Sequence, residues 1–272
     1  MELYWYVALF LLGTIIGSFL NVVLYRLHTG KSLGGRSHCM TCGKTLSWYE
    51  LLPVVSYLSQ GGVCRGCSAH IPSRYLVVEV LTGLSFTLVW HLFSYDYILL
   101  TLNLVLAVLF ILIIVYDIRH TIIPDELTLM VGAVAPLFVA HAWAFAPLGA
   151  EFVPRILSGA GAGFFFFGLW YVSRGRWIGL GDAKLAFPLG VMVGASGVFS
   201  MVVLSFWIGA VVSLVLLGLQ RVLARGKTRL RFLGAPRTMK SEVPFAPFLV
   251  LGFLAVQFFH ANIFDITYLL FW

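Results

Sequence analysis

Two aspartates stand out in a chain that holds few acidic residues. Asp117 lies in Tyr116-Asp117-Ile118-Arg119 and Asp182 in Gly179-Leu180-Gly181-Asp182, each where a long apolar run meets a polar loop. Only 11 Asp and Glu residues occur among 272. A carboxylate at membrane depth is costly to keep, so its presence there points to function. Two carboxylates that meet cannot both ionise cheaply and come to share a proton, an arrangement suited to acid–base work. The ionised member can take a proton from an attacking water. The protonated member can hydrogen-bond a carbonyl and later protonate a leaving amine. Gly179 and Gly181 flank Asp182 and permit close backbone approach, which would let an extended substrate reach it. The plainer reading is a helix start with Asp182 as its N-cap. Asp117 has its own plain reading, a topological charge pairing with Arg119.

Two other carboxylates are candidates for assisting roles. Asp125 follows Pro124 just ahead of an apolar run, an ordinary helix-start position, so capping competes with catalysis. Glu79 lies about a turn inside another apolar run, where burial is more costly. Lys184 could act on the charge of Asp182, or serve only as a topological anchor. The Phe164–Phe167 run reads as lipid-facing or packing surface.

The four cysteines form a second constellation: Cys39-Met40-Thr41-Cys42 and Cys64-Arg65-Gly66-Cys67, with 21 residues between the pairs. Two Cys-x-x-Cys knuckles can give four thiolates to one tetrahedral Zn²⁺. Four thiolates leave no open position for water, so such a zinc is structural rather than catalytic. A redox dithiol and plain free thiols are the rival readings. His38 and His70 are possible substitute ligands, though solvated loop histidines explain them as well. The segment between the first two apolar runs has too small a core to hold itself together, and a metal would supply the missing staple.

The elements that position these groups follow from composition. The chain is 60% hydrophobic and 11% charged, where a soluble domain would carry roughly a quarter charged residues. Its apolar runs reach about 20 residues, enough to cross a bilayer core as helix. Helix is expected because lipid offers no partners for backbone polar groups. The expected fold is all-α and polytopic, with about eight transmembrane helices and a small cytoplasmic zinc-binding loop domain. The spans read as 4–27, 75–93, 95–116, 126–146, 155–173, 183–194, 197–219 and 244–259 or beyond. The first lacks a basic leader and a small-residue cleavage site, so it reads as a permanent span rather than a signal peptide.

Charge tests that topology. Seventeen of the 18 Lys and Arg residues fall in every second loop, and only Arg155 falls on the other side. The positive-inside rule then puts the basic loops in the cytoplasm and both termini outside it. Asp117, ending the third span, and Asp182, beginning the sixth, share the cytoplasmic side. The net charge of +7 therefore reflects topology and contact with anionic lipid headgroups. The run 221–231 has no stacking aromatics between its charges, which argues against nucleic acid as a partner.

The ordered motifs resemble bacterial type IV prepilin peptidases (leader peptidase/N-methyltransferases). They are Gly17-Ser18-Phe19-Leu20-Asn21, with Tyr25-Arg26-Leu27 after it; the paired knuckles, with Trp48, Pro53 and Ser56 between them; Arg74-Tyr75 with Glu79; and Asp117 followed by Ile123-Pro124-Asp125. Gly179-Leu180-Gly181-Asp182-Ala183-Lys184 and Pro244-Phe245-Ala246-Pro247-Phe248 complete the order. The match covers nearly the whole chain. Departures fall at His28, Met40 and Leu76, each where the family commonly has Pro.

The resemblance implies a membrane aspartic endopeptidase with Asp117 and Asp182 as its catalytic pair. It would cut the basic leader from prepilins or type II secretion pseudopilins after a Gly, on the cytoplasmic face of the inner membrane. It would then methylate the new N-terminal residue from S-adenosylmethionine, at a site no glycine-rich loop reveals. Asp125, Glu79, Gly179 and Gly181 would assist, Glu79 by organising the site or receiving the basic leader. Cys39, Cys42, Cys64 and Cys67 would hold one zinc per chain. The organisation expected is a first transmembrane helix over 1–27, a four-cysteine zinc-binding domain over 28–74 and a membrane peptidase domain over 75–272. Partners would be prepilins and membrane lipid. Two rivals share some features: a presenilin-like intramembrane aspartyl protease, and a proton-coupled transporter.

Overall fold

The computed structural model describes residues 2–27, 32, 34–145, 152–225 and 244–263. Lys227, Arg229, Arg231, Arg237 and Lys240 of the most basic loop, together with His28 and Lys31, lie outside the described residues. Among the described residues the chain is helical and holds no strand beyond two isolated bridges. In order come α1 (Glu2–Arg26), a 3-10 turn (Trp48–Glu50), α2 (Val55–Ser59), α3 (Arg74–Phe93), α4 (Tyr97–His120) and α5 (Asp125–Phe145). Then follow α6 (Phe152–Ser173), α7 (Leu180–Val193), α8 (Val198–Arg225) and α9 (Ala246–Phe259).

Six of these helices, α1, α3, α4, α5, α6 and α8, are long and apolar enough to cross a membrane. The protein is a polytopic membrane protein. The sixth and eighth expected spans correspond to α7 and α9, of 14 residues each. At a rise of 1.5 Å per residue such a helix is about 21 Å long, short of a hydrocarbon core of about 30 Å. α7 is instead an inner helix: Leu185, Ala186 and Leu189 are fully buried.

The chain divides into two compact units, Met1–Leu112 and Ile113–Trp272. In the first unit α1 packs on α3 through glycines spaced four apart. A Cβ on Gly13 would stand 2.7 Å from the Thr82 carbonyl oxygen, and one on Gly17 would stand 2.8 Å from Glu79 Cα. Lipid gives helices no hydrophobic reason to associate, so small residues that let backbones approach do that work. Tyr6 Oη meets His91 Nδ1 at 2.7 Å at one end of the pair. Asn21 Nδ2 donates to the Tyr75 carbonyl at 3.1 Å at the other.

In the second unit α7 packs against α5, α6 and α9. The α6–α7 crossing is again built on small residues, with a Cβ on Gly190 only 2.9 Å from Gly159 Cα. Arg155, the lone cation on its side in the sequence reading, has a structural task. Its Nη1 donates to the Met192 carbonyl at 2.8 Å and closes the C-terminus of α7, where a cation is favoured by the unsatisfied carbonyls.

Candidate active site

Asp117 occupies the last turn of α4 and is 4% exposed. Its Oδ2 accepts the backbone N–H of Ala246 at 3.1 Å. Ala246 opens α9, so this helix start supplies an orphan N–H to an anion, as helix N-termini do. An aromatic cluster fixes that start. Phe245 lies 5.1 Å from Phe206 and 5.6 Å from Phe166, ring centre to ring centre. Phe166 stacks on Phe206 at 5.9 Å with an interplanar angle of 8°. The Phe164–Phe167 run thus splits: Phe166 is fully buried, and Phe164 is 74% exposed.

Asp182 is 6% exposed in the first turn of α7. The N-cap is Gly179, with φ −74° and ψ 152°, so Asp182 stands at the third helical position rather than at the cap. Its Oδ2 reaches back to accept the Gly179 N–H at 3.1 Å, the acidic half of a capping box. The dihedrals of Gly179 are open to any residue. Gly181 answers to space instead: a Cβ there would meet Ile123 Cβ at 3.0 Å. Ile123, just ahead of α5, is therefore part of what seats the Asp182 turn.

The two aspartates lie close enough for the charge of Asp117 to act on Asp182. Among the described residues each has one oxygen held by a backbone N–H, leaving the other for a water or substrate atom. Asp125, in the first turn of α5, pairs through Oδ1 with Lys184 Nζ at 2.7 Å, both side chains being well exposed. Lys184 thereby ties the entry of α5 to the first turn of α7. Glu79 belongs to the first unit. It is buried in α3, and its Oε2 accepts the Val54 N–H at 2.8 Å. Val54 has φ 63°, unusual for a β-branched residue.

Sequence reading missed Ala246 as a donor, Ile123 as a packing partner and Val54 as the clasp on Glu79. Only the first two had a signal, through the Pro244–Phe248 and Ile123-Pro124-Asp125 motifs.

The four cysteine sulfurs gather within 4.8 Å of one another. Cys39 Sγ and Cys67 Sγ are 3.8 Å apart, the edge of a tetrahedron with metal–sulfur bonds of about 2.3 Å. The knuckles repeat one another. Cys39 N–H donates to the Lys44 carbonyl and Cys64 N–H to the Ala69 carbonyl, both at 2.9 Å. Gly43 (φ 70°) and Ser68 (φ 56°) turn the chain at matching places. Bridges His38–Thr45 and Val63–His70 close both loops.

The electrostatics suit a cation. The N–H groups of Cys42 and Thr41 pull the Cys39 thiol down to about 6. The Cys67 thiol, despite the pull of the Ala69 N–H, is pushed up to about 12 by burial and by its three neighbouring sulfurs. Four thiolates this close repel one another unless a cation sits among them. The residues fit a tetrahedral divalent metal.

Comparison with known proteins bears on the competing readings of the chain. The model of the Type IV leader peptidase family matches residues 104–214, and that of the Bacterial Peptidase A24 N-terminal domain matches residues 11–93. A prepilin leader peptidase/N-methyltransferase of Pseudomonas aeruginosa is 30% identical over 284 residues, 90% of this chain and 88% of that protein. The chain belongs to the type IV leader peptidase family.

Other similar proteins carry the same name. One from Myxococcus xanthus is 36% identical over 217 residues, 78% of this chain and 63% of that protein. One from Bacillus subtilis is 31% identical over 207 residues, 74% of this chain and 79% of that protein. No solved structure matches the chain. Membership in a family of leader peptidases disfavours both the presenilin-like and the transporter readings.

Proposed function

We propose that this family member is a membrane aspartic endopeptidase that removes the basic leader of type IV prepilins or type II secretion pseudopilins after a Gly. The observation that carries the mechanism is the meeting of Asp117 and Asp182, each with one oxygen anchored by a backbone N–H. The pair shares one proton and titrates as a unit. Its ionised member takes a proton from a water as the water oxygen bonds to the scissile carbonyl carbon. Its protonated member donates a hydrogen bond to the carbonyl oxygen, then gives its proton to the departing amine as the C–N bond breaks. Asp125, paired with Lys184 between α5 and α7, would assist, with Gly179 and Gly181 in the turn that presents Asp182.

In this reading the enzyme sits in the inner membrane, with its basic loops and its active site on the cytoplasmic face and both termini on the other. Cys39, Cys42, Cys64 and Cys67 hold one structural zinc, which staples the loop between α1 and α3. The second activity methylates the new N-terminus, and S-adenosylmethionine supplies the methyl group.

The test uses purified full-length protein in detergent with a prepilin and no ion gradient. A cut after Gly, followed by appearance of a singly methylated mature N-terminus by mass spectrometry, supports the proposal. Cleavage only within the apolar segment, or no cleavage, contradicts it.

A further inference from the structure

The loop between α1 and α3 carries an apolar face of its own. Trp48, Tyr49, Leu51, Leu52, Val55 and Leu58 are all exposed, Trp48 by 75% and Leu58 by 64%. They fall in one stretch, 48–60, whose only charged residue is Glu50. That carboxylate is buried and already paired, with Lys44 Nζ at 2.9 Å. The short helix α2 has two distinct sides. Tyr57 is half-buried, and its hydroxyl donates to the Ile71 carbonyl at 3.3 Å. Val55 and Leu58, three positions apart and so on one face of the helix, stay exposed. An exposed apolar patch of this kind marks a surface that meets a protein or a membrane.

Depth decides between the two. The turn ahead of α2 is pinned by the Val54 N–H, which donates to Glu79 Oε2 at 2.8 Å. Glu79 lies five positions beyond Arg74, about 7.5 Å along α3. Its carboxylate also accepts from the Ser18 hydroxyl. Ser18 lies eight positions before Arg26, about 12 Å from the end of α1. Arg26 and Arg74 are the cations that close these two spans at the water interface. Val54 is therefore held beside the first turns of α3, below the level at which α1 ends.

We infer that the 48–59 face is an interfacial anchor, seated in the headgroup and upper acyl region of the bilayer leaflet that α1 and α3 enter beside it. Interfacial segments sink their apolar faces about 5–10 Å into that layer, the depth at which Glu79 holds Val54. Trp48 and Tyr49 suit the headgroup level, since each has an apolar ring and a polar tip. Leu52, Val55 and Leu58 would reach toward the chains. The Arg65 guanidinium stands 5.5 Å from the centre of the Tyr49 ring and supplies a cation for anionic headgroups. A lipid surface is favoured over a protein partner because both ends of the loop are tied to membrane spans, so the face meets lipid without any further association. The leaflet is the cytoplasmic one on the sidedness proposed above, while the contact itself does not depend on the peptidase chemistry. The loop is then stapled twice, by metal at its knuckles and by lipid at α2.

The test places the photoreactive residue benzoylphenylalanine at Leu52, Leu58, Thr45 or His70 of the full-length, zinc-loaded protein, one position at a time. Thr45 and His70 are exposed residues of the bridges that close the two knuckles. Each protein is set in vesicles of phosphatidylethanolamine and phosphatidylglycerol and irradiated, and its adducts are identified by mass spectrometry. Metal content and thermal unfolding report folding. Lipid adducts at Leu52 and Leu58, with none at Thr45 and His70, support the anchor. Loss of lipid adducts at Leu52 and Leu58, or equal yields at all four positions, overturns it. So does an adduct between two copies of the chain in place of lipid. A switch from lipid to pilin adducts when prepilin is added would make the face a substrate surface and overturns it too. Prepilin cleavage by the unmodified protein in the same vesicles reports the peptidase reading separately, so failure of the one is distinguishable from failure of the other.

Discussion

The backbone N–H of Ala246 donates to Asp117 Oδ2 at 3.1 Å, a bond between residues 129 positions apart. It makes the start of α9 a fixture of the site through its backbone. That start is held by Phe166, fully buried and stacked on Phe206. Phe166→Ala should therefore cost about 3–5 kcal/mol of stability and lower cleavage as Asp117 loses its anchor. Phe164→Ala, in the same run but 74% exposed, should do neither. Unfolding midpoints and cleavage rates of both variants check this, and equal effects would refute the split.

A tight contact seats the turn that carries Asp182. Gly181 lies where a Cβ would come within 3.0 Å of Ile123 Cβ. Gly181→Ala should overpack this seam, with a penalty of about 1–3 kcal/mol, and reduce kcat by displacing Asp182. Ile123→Ala made in the same chain should recover part of the loss. A double-mutant cycle on cleavage rate measures the coupling. Strict additivity of the two changes would break the link between this contact and the aspartate.

The sulfur cluster predicts a stoichiometry. Four sulfurs within 4.8 Å suit one tetrahedral ion, so elemental analysis of freshly purified protein should find about one zinc per chain. Cys64, the buried member of the set, should matter most. Cys64→Ser should lose the metal and open residues 34–73 to protease, while α5–α9 stay protected. Protein free of metal, yet equally resistant in this loop, would contradict the assignment.

Much of this architecture was legible in the sequence, because lipid leaves few options. Long apolar runs had to be helices, and the charge split placed the ends of α4 and α7 on one side. The knuckle spacing likewise gathered four sulfurs that the structure brings together. What escaped reading depends on tertiary proximity. α7 reads as a span in the sequence, yet it has only 14 residues and its Leu185, Ala186 and Leu189 are buried among neighbouring helices. Arg155 counted as an exception to the charge rule until the Met192 carbonyl gave it a partner. The role expected of Gly181 was room for an extended substrate to come close. The structure shows a lack of room instead, set by Ile123 some 58 positions earlier.

The metal loop should also show a pH signature. The Ser47 N–H, and after it Lys44, hold the Glu50 carboxyl below the usual carboxylate range, and Glu50 in turn raises Lys44. A carboxyl lowered by folding stabilises the fold above its unfolded value, about 4.3, and loses that contribution as pH falls through the lower folded value. Glu50→Gln should accordingly weaken the loop at neutral pH, and its difference from the wild type should close in acid, below about pH 4. Limited proteolysis across pH reads this directly. A gap that persists unchanged into acid would show that the carboxylate charge is not what matters.

The central claim is that Asp117 and Asp182 together perform the hydrolysis. The most direct test is the rate of prepilin cleavage by purified Asp117→Asn and Asp182→Asn, with metal content and thermal unfolding confirming that both variants fold. Asparagine keeps the shape and can still accept the Ala246 or Gly179 N–H, but it cannot exchange a proton with water or amine. Cleavage abolished in each folded variant is the predicted result. Cleavage retained by either one would contradict the account.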